Sequence, residues 1–144
     1  SGIGIDYSQK ALSLAGENLK TLNLLSRTQL RQLDWNTQKV KEEMVGLVVS
    51  NPPYLNAGEW KSAETEVKEY DPKAALVAEE KGFSELRKII GISANLLAPG
   101  GMLALEFGIS HADQIKEALS LEFKEIEILK DLSHYRRFSI AIKT

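Results

Sequence analysis

"VGLVVSNPPYL", residues 45–55, runs from apolar residues into an asparagine, two prolines and an aromatic ring. The stretch 45–51 has the length and β-branched content of a buried strand, and Pro52 ends it. Each proline lacks an N–H and holds φ at about −65°, so a strand finishing in this tetrapeptide offers carbonyl acceptors and almost no donors. Such a tip suits an incoming nitrogen that brings two N–H groups. The Asn51 side-chain oxygen and the Pro52 carbonyl would accept them, and the Tyr54 ring would stack on a planar amide or base and hold its plane. Drawing N–H density away makes that nitrogen more nucleophilic and aims it for in-line displacement at a methyl group. A proline-ended strand that merely enters a turn stays open on spacing alone.

Upstream, "SGIGID" (1–6) is a short apolar run ending in an acid, and Leu12, Ala15, Leu19 and Leu22 then recur at helical steps behind Ser8, a plausible N-cap. "TQLRQLDW" (28–35) alternates like a strand, and "QKVKEEM" (38–44) is a polar connector with some helical character. Downstream, the polar stretch from Pro52 to Lys81 exceeds ordinary loop lengths, so it is either a functional lid or holds a short helix around "EWKSAETEV" (59–67). Phe83, Leu86, Ile90, Ala94 and Leu97 mark one helical face, closed by "APGG" (98–101), and "MLALEFG" (102–108) is the next strand. Ser110 with Asp113 makes a capping-box-like start for a helix carrying Ile115, Ala118 and Leu119. "FKEIEIL" (123–129) and "RRFSIAI" (136–142) alternate and are linked by "DLSHY" as a hairpin-like pair. Alternating strands and helices predict an α/β fold: one domain, a mostly parallel sheet with an antiparallel last strand, and ligands at the strands' carboxyl ends.

The chain's 144 residues, 43% apolar and 26% charged, fit one globular domain. A net charge of −2 gives no bulk reason to bind polyphosphate, so no direct nucleic-acid contact is expected. With no cysteine there is no disulfide, thiolate zinc site or cysteine nucleophile, and a reducing compartment fits. His111 and His134 stand far apart, so no metal site or serine-histidine triad is expected, and both read as surface or capping residues. No apolar run approaches the roughly 18 residues of a membrane span, and the opening residues lack a signal peptide's pattern; a cytoplasmic protein is expected.

Asp6 and Asp34 end two strand patterns and so fall on the expected ligand edge. An acid there can accept hydrogen bonds from both hydroxyls of a ribose, although Asp6 equally suits a helix-start residue. Trp35 beside Asp34 could pack against a purine while the acid accepts from its exocyclic amine; a plain core tryptophan is the other reading.

"NPPY" alone is similar to DNA adenine and RNA base methyltransferases as well. More discriminating are "LDW" (33–35), "EYDPKAALVAEEKG" (69–82) and "LAPGGMLALEFG" (97–108), which in this order and over nearly the whole chain resemble the HemK/PrmC group of protein-(glutamine) methyltransferases. The resemblance implies a Rossmann-like class I methyltransferase sheet and S-adenosyl-L-methionine as cofactor. By it Asp6 would bind the cofactor ribose, Asp34 and Trp35 would border the adenine, and Asn51 would touch cofactor and substrate. Asn51, Pro52 and Tyr54 would be catalytic, with Pro53 completing the substrate-amide pocket. The implied partner is a peptide-chain release factor, methylated on the glutamine side-chain nitrogen of its Gly-Gly-Gln loop. Asp71 stands where the group has Glu, one methylene longer. The first strand, its glycine-rich loop and the first helix of that fold have no counterpart here, so residues 1–144 read as the C-terminal part of an incomplete catalytic domain that alone binds cofactor weakly and is inactive. A nucleic-acid base amine methyltransferase and an inactive fragment of the fold are the alternatives. Glu106, on another strand tip, is as readily structural as functional, and Arg136 and Arg137 read as charge partners or surface residues.

Overall fold

The computed structural model describes residues 1–38, 40, 44–62, 75–78 and 82–144. The chain divides into two compact units, Ser1–Lys41 and Glu42–Thr144. In the first, β1 (Gly2–Asp6) and β2 (Thr28–Gln32) pair in parallel, joined by α1 (Gln9–Thr21) and a 3₁₀ turn, Leu25–Arg27. Ser8 caps α1 as its sequence position predicts, its hydroxyl accepting from the Ala11 N–H at 3.3 Å. Leu12 is buried on the helix. Leu22 is not on its inner face: the helix ends at Thr21, the chain turns through Asn23 at φ 56°, and Leu22 is left 65% exposed. β2 likewise stops at Gln32, short of the expected Trp35, because Asp34 begins a turn whose carbonyl accepts from Thr37 and Gln38.

The second unit contains β3 (Val45–Ser50), α2 (Ala57–Ser62), α3 (Ser84–Leu96), β4 (Leu97–Glu106), α4 (Ala112–Leu119), β5 (Phe123–Lys130) and β6 (Arg136–Lys143). Its sheet runs β3-β4-β6-β5, with β3 parallel to β4 and β6 antiparallel to both of its neighbours. Helical crossovers permit the parallel strands, whereas the short turn 131–135 forces β5 and β6 into an antiparallel pair. Asp131 shapes that turn by accepting from the Ser133 and Tyr135 N–H groups through Oδ1. Strands β3, β4 and β5 thus run one way and the last, β6, runs against them, in line with the expected α/β arrangement with an antiparallel last strand.

Helix α3 packs on β3 and β4, α4 packs on β5 and β6, and the two helices touch. Leu86, Leu103, Leu105, Phe107, Ile115, Leu119 and Ala141 are buried on that side. Each large side chain contributes about 1.5–3 kcal/mol on removal from water. The expectation of a buried strand is corrected for one face of β3: Leu47 and Val49 are 55% and 72% exposed. The register sets Val48 and Ser50 beside Leu103 and Leu105, while Leu47 and Val49 share the other face with Met102 and Ala104. An apolar run specifies a strand, but what covers each face is a tertiary matter.

Three boundaries also move. Leu97 begins β4 opposite Val45 instead of ending the helix, and "APGG" forms an irregularity in the ladder before Leu47 meets Met102. The N-cap of α4 is His111, without a side-chain cap bond, and its N–H donates to the Gly108 carbonyl at 2.9 Å; Ser110 is exposed, and Asp113 pairs with Arg136 at 2.8 Å. Helix α2 starts after Asn56, whose Oδ1 accepts from Gly58 and Glu59 while Glu59 accepts from the Asn56 N–H, a reciprocal capping box. The rest of the helix expected over 59–67, the greater part of the connector 38–44, and Asp71 with most of the segment 69–82 lie outside the described residues.

Candidate functional site

In the unit Ser1–Lys41 the two acids stand where the strand pattern put them. The parallel register places Asp6 opposite Gln32, and the Leu33 N–H donates to the Asp6 carbonyl at 3.0 Å, so Asp34 and Trp35 follow at the same carboxyl edge. Asp6 Oδ1 accepts from the Ser8 N–H at 2.7 Å and Asp34 Oδ1 from the Asn36 N–H at 2.8 Å. Among the described residues the second oxygen of each carboxylate accepts nothing. Each of these part-buried carboxylates thus keeps one oxygen able to accept a hydrogen bond from a hydroxyl or an amine.

In the unit Glu42–Thr144, Asn51 is exposed at the tip of β3, Pro52 is fully buried, and Pro53 and Tyr54 are half-buried. Leu55 donates to the Leu76 carbonyl at 2.8 Å and accepts from the Ala78 N–H at 2.9 Å, which pins the loop on its far side. The Tyr54 hydroxyl donates to Glu106 Oε1 at 2.9 Å and accepts from Arg137 Nη1 at 3.3 Å. The Arg137 guanidinium carbon lies 5.9 Å from the ring centroid, and its Nε is 3.6 Å from Asp131. Phe107 donates its N–H to the Arg137 carbonyl at 2.9 Å, keeping the end of β4 and the start of β6 in step.

Two glycines let this loop sit so close. A Cβ on Gly108 would lie 3.2 Å from Tyr54 Cδ2 and 3.0 Å from His111 Nδ1, and one on Gly82, at φ +91°, would overlap the Tyr54 carbonyl oxygen. Of the two readings of His111, surface or capping residue, its burial removes the first while it stands at the N-cap of α4, with its ring centroid 6.0 Å from that of Phe83 in space those glycines leave. His134 is exposed in the β5–β6 turn. Burial first, then the Glu106 hydrogen bond and charge, push the Tyr54 phenol above its ordinary value of 10.0, against the opposing pull of Arg137. The hydroxyl is therefore a neutral anchor, engaged on both sides.

The structure thus gathers Asp6, Asp34 and Trp35 at one strand edge, and Asn51, Pro52, Pro53 and Tyr54 with Glu106 and Arg137 at another. The contacts of Glu106 and Arg137 with Tyr54 span 52 and 83 positions and were not read from the sequence. The available signal was the Glu-x-Gly spacing of 106–108, which puts carboxylate and bare backbone on one face of an extended chain.

A family model described as "RMKL-like, methyltransferase domain" matches residues 1–75. The chain is similar to the release factor glutamine methyltransferase of Caulobacter vibrioides, 35% identical over 99% of this chain and 49% of that protein. It is similar also to that of Enterococcus faecalis, 34% identical over 96% of this chain and 50% of that protein. The chain spans about half the length of the curated relatives it matches. Among solved structures, a SAM-dependent O-methyltransferase from Thermotoga maritima aligns with a TM-score of 0.70 at 14% identity, covering 99% of this chain and 49% of that one. A methyltransferase from Pyrococcus furiosus aligns at 0.68 and 18%, covering 98% and 61%. These likenesses show the Rossmann-like class I methyltransferase fold.

Proposed function

This chain belongs to the RMKL-like methyltransferase domain family, and we propose that it serves S-adenosyl-L-methionine-dependent methylation of a glutamine side-chain nitrogen in a peptide-chain release factor. The observation that carries the reading is the tip of β3: an exposed Asn51 beside two prolines, with the Tyr54 ring anchored next to them. Relatives named for this activity support it. In it, Asn51 Oδ1 and the Pro52 carbonyl accept the two amide N–H groups, Pro53 fixes the turn, and the Tyr54 ring holds the amide plane. The amide nitrogen's electrons are then directed away from its hydrogens, toward the methyl carbon. With the cofactor bound, the nitrogen would gain the methyl as the carbon's bond to sulfur breaks, and one N–H proton would pass to solvent. The cofactor, when bound, supplies an electrophilic sulfonium methyl. The second oxygens of Asp6 and Asp34, with the Trp35 indole, would hold its ribose and adenine.

No helix among the described residues is long and apolar enough to cross a membrane, and we place the reaction in the cytoplasm with its substrate. The test is methyl transfer from labelled cofactor by the natural protein that carries this chain, offered a release factor or naked RNA and DNA. Asn51→Ala is expected to lower turnover by about 100-fold, the scale of lost substrate positioning, with an unchanged circular-dichroism spectrum. Undiminished turnover in that variant overturns the reading. Methylation of nucleic acid but not of the release factor favours an amine of a base as the acceptor in the same pocket.

A further inference from the structure

Two groups from separate strands of the second unit meet on one side chain, and a third steadies one of them. Tyr54 hangs from the loop after β3, Glu106 is the last residue of β4, Arg137 lies near the start of β6, and Asp131 sits in the turn before β6. We propose that Glu106 and Arg137 are positioning residues for methyl transfer, clamping the Tyr54 hydroxyl from two sides so that its ring is held as a fixed plane for the acceptor. This deepens the proposed function and rests on it.

The geometry is that of a donor and an acceptor sharing one oxygen. The phenolic O–H donates to Glu106 Oε1 at 2.9 Å, and Arg137 Nη1–H donates to a phenolic lone pair at 3.3 Å. A hydroxyl engaged both ways fixes where the ring's far end lies. Its edge is set by Gly108, where a Cβ would come within 3.2 Å, and its backbone carbonyl packs closely on Gly82. Arg137 is steadied in turn by Asp131 at 3.6 Å and, through its carbonyl, by the Phe107 N–H at 2.9 Å. Neither Glu106 nor Arg137 needs to touch the acceptor. Each acts through a ring whose tilt sets the tilt of whatever stacks on it, and small errors in such placement cost rate steeply.

A residue that only stabilises the fold and one that acts through the Tyr54 hydroxyl differ in a double-mutant cycle. In the natural protein, Tyr54→Phe, Glu106→Gln and Arg137→Met are each expected to lower kcat/KM for the acceptor by about tenfold, with cofactor dissociation within about twofold of wild type. In the Tyr54→Phe background, Glu106→Gln and Arg137→Met are expected to add less than about twofold, because the oxygen they act through is gone. Arg137→Lys, which keeps the charge and loses the planar fork, recovers only part of the loss. A second readout is independent of turnover: the phenol titration, taken as wild-type minus Tyr54→Phe absorbance, moves down in Glu106→Gln and up in Arg137→Met.

Non-additive losses together with both titration shifts support the clamp. Additive losses, single variants with full activity, or a titration that neither variant moves overturn it, while a wild-type protein that still methylates the release factor leaves the proposed function standing. Wild-type protein that methylates no acceptor removes the proposed function instead, and with it any positioning role, even where the titration shifts are seen.

Discussion

The strand-edge acids of the first unit and the proline loop of the second are held in opposite ways. Asp6 and Asp34 each bond a backbone N–H two residues further on, so their placement is settled within a few residues of themselves. Tyr54 is held by Glu106, Arg137, Gly82 and Gly108, the nearest of them 28 positions away by sequence number. Asp6 and Asp34 therefore depend on a local motif, whereas the proline loop keeps its place only as long as the sheet beneath it is intact.

The largest expected effect tests that dependence. Phe107 is fully buried between the two residues that touch Tyr54, so Phe107→Ala is expected to cost about 3–5 kcal/mol in denaturant unfolding. Turnover should fall with it; an active site unaffected at full saturation would break the link between loop and sheet. Next comes Asp6→Ala. Loss of a carboxylate that accepts from a ligand hydroxyl should weaken cofactor binding by about tenfold or more in calorimetry, and unchanged affinity would reduce Asp6 to a turn residue. Ser8→Ala removes the α1 cap and is expected to cost about 1 kcal/mol in thermal unfolding, leaving the acceptor side untouched.

The smallest effect lies at alkaline pH. Because the folded Tyr54 phenol titrates above 10.0, folding favours its protonated form. That contribution is complete below pH 10.0 and is lost as pH rises through the folded value. Replacing Tyr54 by Phe should remove this part of the alkaline decline in stability. An unchanged slope would mean that burial and Glu106 do not act on the phenol.

Much of the fold was legible because it is written in local period. The Ser8 cap, the strand edge at Asp6, the β5–β6 hairpin and the helices through Leu86 and Ile115 each follow from spacing, capping or turn chemistry within a dozen residues. What failed shares a cause. His111 was read as a surface or capping residue, and its burial was missed because nothing beside it along the chain reports Phe83 or Gly82. β3 was read as a buried strand because an apolar run says nothing of which face a helix covers. Leu97 continued a helical period, yet its pairing with Val45 drew it into the strand.

The sequence by itself determined an α/β chain whose strand ends carry Asp6, Asp34 and the Asn51–Tyr54 loop, since alternation, helical step and the fixed φ of proline are properties of neighbouring residues. That Tyr54 is tied down by Glu106 and Arg137 follows from the packed sheet alone. Hydrogen bonds across 52 and 83 positions depend on strand order and register, which no local pattern encodes.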